Sequence, residues 1–186
     1  GDHASYHLQF DAPLTSNLKA IARWGSHHVE IAHSPDDLSE AGIVPALFLN
    51  TDPLIANQPL DNHTALFAAQ FLSEQKISFT LPQTCTHANY VEKLGNTFHT
   101  FAQSRYLTLA DVNSLLASRR IEVGSHTRSH INLNIPDISI LETQIRTAHR
   151  DLETALNMPI ECFSFPFGKL NTLNFRAEYV AMSTAR

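Results

Sequence analysis

The sequence predicts an α/β fold, a parallel sheet or barrel of β-α units, in one domain spanning residues 1–186. Three observations lead there. Short apolar runs recur along the chain, at Tyr6–Asp11, His28–Ala32, Val44–Leu49, Ile77–Leu81, Ile121–Gly124, Cys162–Phe165 and Tyr179–Ser183. Several are near-continuous in β-branched, aromatic and aliphatic residues, as strands covered on both faces are. Longer helical patterns separate them, and short strands alternating with helices build parallel sheets.

The helical patterns have readable ends. Thr108 followed by Asp111 is a capping-box pair, with the acidic residue at the third helical position. That helix presents Val112, Leu115 and Leu116, then stops near Arg119-Arg120, where cations suit the carboxyl-terminal dipole. A second helix starts at Asp137 and sets Ile138, Leu141, Ile145, Ala148, Leu152 and Leu156 on one core-facing stripe. Asn157 and Pro159 end it. A third spans about Thr64–Gln75, with Leu66, Phe67 and Phe71 apolar. The stretch Pro82–Tyr106 is polar and reads as a loop holding a short helix at Tyr90–Leu94. Loops at the carboxyl ends of barrel strands carry sites, so this one is a candidate cover for a substrate groove.

Composition narrows the function classes. The chain has 186 residues, 43% hydrophobic and 17% charged, which is the make-up of a globular domain with a real core. Its net charge is −5, with no basic run and no aromatics interleaved with Lys or Arg, so nucleic acid is not an expected partner. No apolar stretch approaches the roughly 20 residues of a membrane span. There is no signal-peptide pattern and no initiator Met, so a mature or excised chain is expected. The two cysteines, Cys85 and Cys162, form no CxxC pair and read as small buried hydrophobes rather than a disulfide or thiolate zinc site. Nothing in the sequence sets the oligomeric state.

The candidate chemistry lies among eleven histidines. His126 and His130 are four residues apart, and one turn of chain would face both imidazoles the same way. Spacing alone is weak evidence, since roughly 0.65 such pairs arise by chance at this histidine content, and His3 and His7 share the spacing. Context separates the two pairs. An apolar strand, Ile121–Gly124, runs into small residues, Gly124 and Ser125, where the chain turns and presents His126. Neutral imidazole suits zinc and its first-row neighbours, and a third ligand, usually a carboxylate, would leave positions open for water and substrate.

The stretch Leu107–Leu133 resembles the second motif of the polysaccharide deacetylases, the NodB homology domain of carbohydrate esterase family 4. His126-Thr127-Arg128-Ser129-His130 and Leu133 match the family's His-[Ser/Thr]-x-x-His and following Leu. Downstream, Cys162–Asn171 is similar to the third motif, an aromatic-rich strand ending in Pro-aromatic-Gly, here Pro166, Phe167 and Gly168. Lys76–Leu81 resembles the strand after the first motif, with Asp61-Asn62 at a family-like distance before it. The likeness covers about Asp61 to Thr184. It implies an incomplete or distorted (β/α) barrel of about seven parallel strands. It also implies metal-dependent removal of acetyl groups from an N-acetylated saccharide, with a divalent ion, Zn2+ foremost, held by two histidines and an aspartate. A second aspartate would act as base and a histidine as acid. Pro166 and Phe167 would contact the substrate.

The sequence departs from the family in several places. The first motif, Thr-Phe-Asp-Asp-Gly, is absent, and it supplies both the base and the carboxylate ligand. Asp52, in Asn50-Thr51-Asp52 after the strand Val44–Leu49, is the favoured ligand. Asp11, in Phe10-Asp11, resembles half the motif and is the candidate base. A gap-free alignment from Asp61 instead sets Ala56 and Asn57 at the two aspartates. Glu161 stands in place of the third motif's arginine, and the chain has extra strands before the expected first one. If those early strands replace late ones, "VEIAHS" resembles the family's last strand and His33 becomes the acid; Ser34-Pro35-Asp36 reads equally as a helix start. Without the Asp-Asp pair, the alternative is an inactive relative that keeps a metal or sugar site.

Overall fold

A computed structural model of the chain describes residues 44, 46–76, 86–119, 121–168 and 174–184, and before these the backbone of three short strands. Those strands, β1 (His7–Leu8), β2 (Ala22–Trp24) and β3 (His27–His28), form an antiparallel sheet in that order. They correct the expectation of an all-parallel sheet.

The site-bearing sheet comes next. β4 (Ala46–Leu49), β5 (Glu122–Ser125) and β6 (Cys162–Phe163) lie parallel with β5 in the centre. Register pairs Leu49 with Ser125 and Ser125 with Phe163, so the carboxyl ends of the three strands finish side by side. This is an α/β fold whose parallel sheet, among the described residues, has three strands where about seven are expected. The anticipated strand Ile77–Leu81 and Cys85 lie outside the described residues.

Among the described residues, five helices lie between β4 and β5: α1 (Thr51–Ile55), α2 (Asp61–Glu74), α3 (His87–Leu94), α4 (Asn96–Gln103) and α5 (Leu109–Ala117). Between β5 and β6 run α6 (Ile138–Glu142), a π-helical turn (Thr143–Thr147) and α7 (Ala148–Leu156). α8 (Phe175–Met182) follows β6. The anticipated caps are present. Thr108 and Asp111 form a reciprocal capping box on α5. Asp137 accepts from the N–H groups of Ser139 and Ile140 on α6, and Asn157 closes α7 in the left-handed conformation.

Several expectations fail, each for a local reason. Tyr179–Ser183 lies largely in helix α8, not in a strand. Asn174 caps α8 by accepting from the N–H groups of Arg176 and Ala177, and Ala177, Val180 and Ala181 bury a face at helical spacing. Pro82–Tyr106 is not mainly loop, because Thr86 and Asn89 build a second capping box and the chain then forms α3 and α4. The third helix starts at Asp61, three residues early, which brings Asn62 and His63 into its first turn. Leu66 and Ile138 are exposed although their stripes place them in the core, and Cys162, at an end of the sheet's last strand, is exposed rather than buried.

Three apolar clusters hold the parts together. Leu47, Leu49 and Val123 of the sheet pack with Val112 of α5 and Leu152 and Leu156 of α7. Phe67 and Phe71 of α2 pack with Tyr90 of α3 and Phe98 of α4. Leu133, Leu141 and Ile145 pack under α8. The α2–α3–α4 cluster also encloses a hydrogen-bond chain. Asn57 Nδ2 is 3.4 Å from His99 Nε2, His99 Nδ1 is 3.0 Å from His87 Nε2, and His87 Nδ1 is 3.4 Å from Thr64 Oγ1, whose hydroxyl donates to the Leu60 carbonyl at 3.1 Å. That last bond makes Thr64 an acceptor from His87, so one direction of donation satisfies the whole chain with both rings neutral. Burial, and then His99, hold the His87 pKa below its ordinary value, against the pull of Asp61.

Gly124 lies within β5 rather than at a turn. A Cβ there would overlap the Phe48 ring and sit 3.1 Å from the Cys162 carbonyl. Gly124→Ala is therefore expected to lower stability by about 1–3 kcal/mol through overpacking. Urea denaturation checks this, and adding Phe48→Leu should recover part of the loss.

Candidate functional site at the carboxyl end of the parallel sheet

The loops leaving β4, β5 and β6 converge on one end of the sheet, where open α/β sheets place their ligands. From β4 the chain continues as Asn50-Thr51-Asp52, from β5 as His126–His130, and from β6 as Ser164–Gly168. α2 adds Asn62 and His63 from its first turn.

Hydrogen bonds shape the His126–His130 loop from both sides. On the β4 side, the N–H of His126 donates to Leu49 O at 2.9 Å, that of Thr51 to Thr127 O at 3.4 Å, and that of Asp52 to Arg128 O at 3.0 Å. The Asn50 side-chain amide donates to the carbonyls of His126 and Thr127. On the far side, the π-helical turn presents Gln144. Its backbone carbonyl accepts the Arg128 N–H at 3.0 Å, its Oε1 accepts the Ser129 N–H at 3.0 Å, and its Nε2 donates to Ser129 Oγ at 2.7 Å. A π-turn changes the helical ladder locally, here at a residue that serves the loop. Thr127 (φ 72°) and His130 (φ 54°) take the left-handed conformation, as do Phe167 (φ 67°) and Gly168 (φ 58°). For a β-branched residue that conformation is strained. The buried Thr127 keeps it while its hydroxyl accepts the His130 N–H at 3.1 Å.

The two histidines come together as the sequence anticipates, with ring centroids 4.8 Å apart. His126 Nδ1 lies 2.8 Å from the Ser164 carbonyl. A carbonyl only accepts, so Nδ1 carries the proton and Nε2 holds the lone pair, the arrangement found in metal-binding histidines. His130 Nδ1 lies 3.0 Å from Asn62 Nδ2, which donates to it and sets the ring proton on Nε2. Burial first, then the neighbouring His126 and His63, push the His130 pKa down to about 4. Phe167 stands edge-on to His130 at 4.9 Å and is 46% exposed.

Asp52, the anticipated third ligand, is engaged elsewhere. Its Oδ1 accepts from Arg128 Nε at 2.7 Å, and the carboxylate of Asp151 adds to the field on that guanidinium. Among the described residues, no three His, Cys, Asp or Glu side chains form a group able to hold a metal ion. Within that set the two imidazoles stand ring to ring, with the His126 proton on Nδ1 and the His130 proton on Nε2. Asp11 and His33, the anticipated base and acid, lie outside the described residues.

Sequence reasoning gave no site role to three contributors. Asn62 was noted only for its place before Lys76–Leu81, and His63 was hidden because the helix was expected to begin after it. Gln144 was hidden because it falls in the helix between the motifs, where nothing but its polarity marked it. His63 lies beside the pair, with its ring 6.3 Å from that of His130.

The class defined so far is an α/β domain with a loop-built site at the carboxyl end of its parallel sheet. Residues 67–181, more than half of the chain, match the polysaccharide deacetylase family model, and the chain belongs to that family. No curated relative matches it significantly. Among solved structures, it is similar to a Streptococcus pyogenes deacetylase, PplD, in complex with acetate, at 15% identity over 81% of this chain and 66% of that one, with a TM-score of 0.41. It is also similar to a CE4 family pseudoenzyme from Bacillus anthracis, at 14% identity over 75% of this chain and 39% of that one, with a TM-score of 0.38. The chain thus spans well under half the length of that second structure.

Two outcomes follow from the geometry. His130 is neutral in the fold and becomes more basic when unfolded, so its contribution is fully present above pH 6.5 and is lost as pH falls towards about 4. The loss is on the order of 3 kcal/mol. Urea denaturation between pH 7.5 and 4.5 should show it, and His130→Gln should flatten part of the slope. Gln144→Leu should cost about 1–2 kcal/mol, because it leaves the partly buried Ser129 N–H without its acceptor. Hydrogen exchange at Ser129 should rise in that variant.

Proposed function

We propose that the domain recognises an acetylated saccharide at the carboxyl end of its parallel sheet and, with the residues described, binds it without hydrolysis. Family membership supports the saccharide. The half-exposed Phe167 ring beside His130 offers an apolar face for a sugar ring, with imidazole edges next to it. Pro166 precedes it and turns the chain out of β6. The observation that carries the reading is the Asp52–Arg128 ion pair, which commits the carboxylate supplied by the end of β4 to an internal cation. Nothing described then polarises water at the histidines.

A second reading is the metal-dependent deacetylase itself, with Zn2+ on His126 and His130. The His126 tautomer favours it, because Ser164 leaves Nε2 as the coordinating nitrogen. It requires a carboxylate ligand from Asp52 after loss of its ion pair, or from residues outside those described. It also needs Asp11 as base, His33 as acid, and the Asn62 amide turned end for end. The same reading extends the sheet towards the family's incomplete barrel.

Titration calorimetry with N-acetylated chito-oligosaccharides, alongside acetate release with and without added Zn2+, separates the readings. Saturable binding without acetate is expected, and Phe167→Ala should weaken it roughly tenfold, about 1.4 kcal/mol. Acetate release abolished by His126→Ala would establish the second reading. Absence of binding would remove the saccharide from both.

A further inference from the structure

We propose that the exposed face of α8 is an interface between two copies of this chain, set side by side with their α8 helices parallel. The inference is independent of the saccharide reading.

α8 has two faces. Ala177, Val180 and Ala181 are buried with Leu133, Leu141 and Ile145. At roughly 100° of turn per residue, Phe175, Tyr179 and Met182 fall on the opposite side. They are 72%, 68% and 80% exposed. Their spacing, four positions and then three, is that of the seam between two paired helices. The Asn174 cap and the buried face already account for the helix. Single apolar residues on a surface need no partner, but three large ones aligned in a stripe mark a contact surface.

Charge points to a second copy as the occupant. Arg176 and Glu178 are both exposed and flank the stripe on opposite sides, one positive and one negative. When two such helices pair in parallel about a two-fold axis, each flank of one meets the other flank of its mate. The Arg176 flank of each copy then faces the Glu178 flank of the other, twice per pair. An antiparallel pair would set like flanks together, Arg176 beside Arg176. The face is thus complementary to itself in one orientation, as an isologous interface must be. Arg176 is also kept beside the stripe. Its Nη1 donates to Pro136 O at 3.3 Å, and its guanidinium carbon lies 5.3 Å from the Phe175 ring centroid. The three side chains of two copies would bury on the order of 800 Å2 together, which is the range of weak, reversible interfaces. A dimer half formed at roughly tens of micromolar protein is therefore expected.

Analytical ultracentrifugation of the full chain, from about 5 to 500 µM, tests this. The parent should shift from monomer towards dimer mass across that range. Tyr179→Glu should weaken association at least tenfold at an unchanged melting temperature. Arg176→Glu and Glu178→Arg should each weaken it several-fold, because each makes both flanks of a copy alike in sign. An equimolar mixture of those two variants should recover it, since the mixed pair again sets opposite charges together. Circular dichroism checks that each variant is folded. Should Arg176→Glu fail to fold for want of its bond to Pro136, Tyr179→Glu still decides, because that side chain faces solvent. A parent that stays monomeric throughout would overturn the inference. So would a dimer that survives Tyr179→Glu, since its interface would lie elsewhere, or a charge-reversed mixture that associates no better than its components.

Discussion

The loop from His126 to His130 is held by hydrogen bonds that its own backbone cannot make, and the site has no shape without them. A buried backbone N–H without an acceptor costs about as much as a lost hydrogen bond, so each must be met from elsewhere. Leu49 O at the end of β4 accepts the His126 N–H, the π-helical turn accepts those of Arg128 and Ser129 through Gln144, and the Asn50 amide donates to the His126 and Thr127 carbonyls. Strain at Thr127 is maintained only because these partners outnumber the alternatives open to the loop. The parallel register matters for the same reason. A shift of one residue between β4 and β5 would move Asn50 off the His126 and Thr127 carbonyls and turn every inward side chain outward.

Much of this was legible in the sequence, and the rest was hidden for physical reasons. Local chemistry was readable. Thr108 with Asp111, Asp137 and Asn157 all mark helix ends where they stand, because a cap is decided by one or two residues. The strands leading into His126 and Pro166 were readable from apolar runs. Tyr179–Ser183 was misread because a short apolar run fits strand and helix equally, and tertiary burial of Ala177 and Val180 decided it. The pairing of His126 with Ser164, and of His130 with Asn62, spans 38 and 68 residues of sequence. No local pattern encodes contacts of that range. The motif located the histidines but not the atoms that set their protons.

Charge sets the balance between the carboxylate after β4 and the imidazoles after β5. A carboxylate near two neutral imidazoles would favour their protonated forms unless a metal balanced it. Here Asp52 is turned to Arg128, within the very loop that joins the two histidines. The guanidinium is an internal counter-ion, permanently charged and bonded to its carboxylate, so the carboxylate is stable without a metal. Beside Phe167 stand the imidazoles of His130 and His126, and His63 lies next to His130. Burial and mutual proximity hold His130 neutral well below the ordinary histidine range.

A neutral ring has one donor and one acceptor, and a partner of fixed role on one nitrogen dictates the other. Asn62 is that partner for His130 and the Ser164 carbonyl takes the Nδ1 proton of His126, while His63 meets the Tyr106 hydroxyl. The His87–His99 chain obeys the same rule in the helical layer, ending on the Leu60 carbonyl while the Leu60 N–H ends on Tyr106. One residue at the start of α2 therefore terminates both networks, accepting from the interior chain and donating to the phenol that orients His63. A helix start that satisfies its own polar groups in this way ties the interior of the helical layer to the ring of His63 beside the loop.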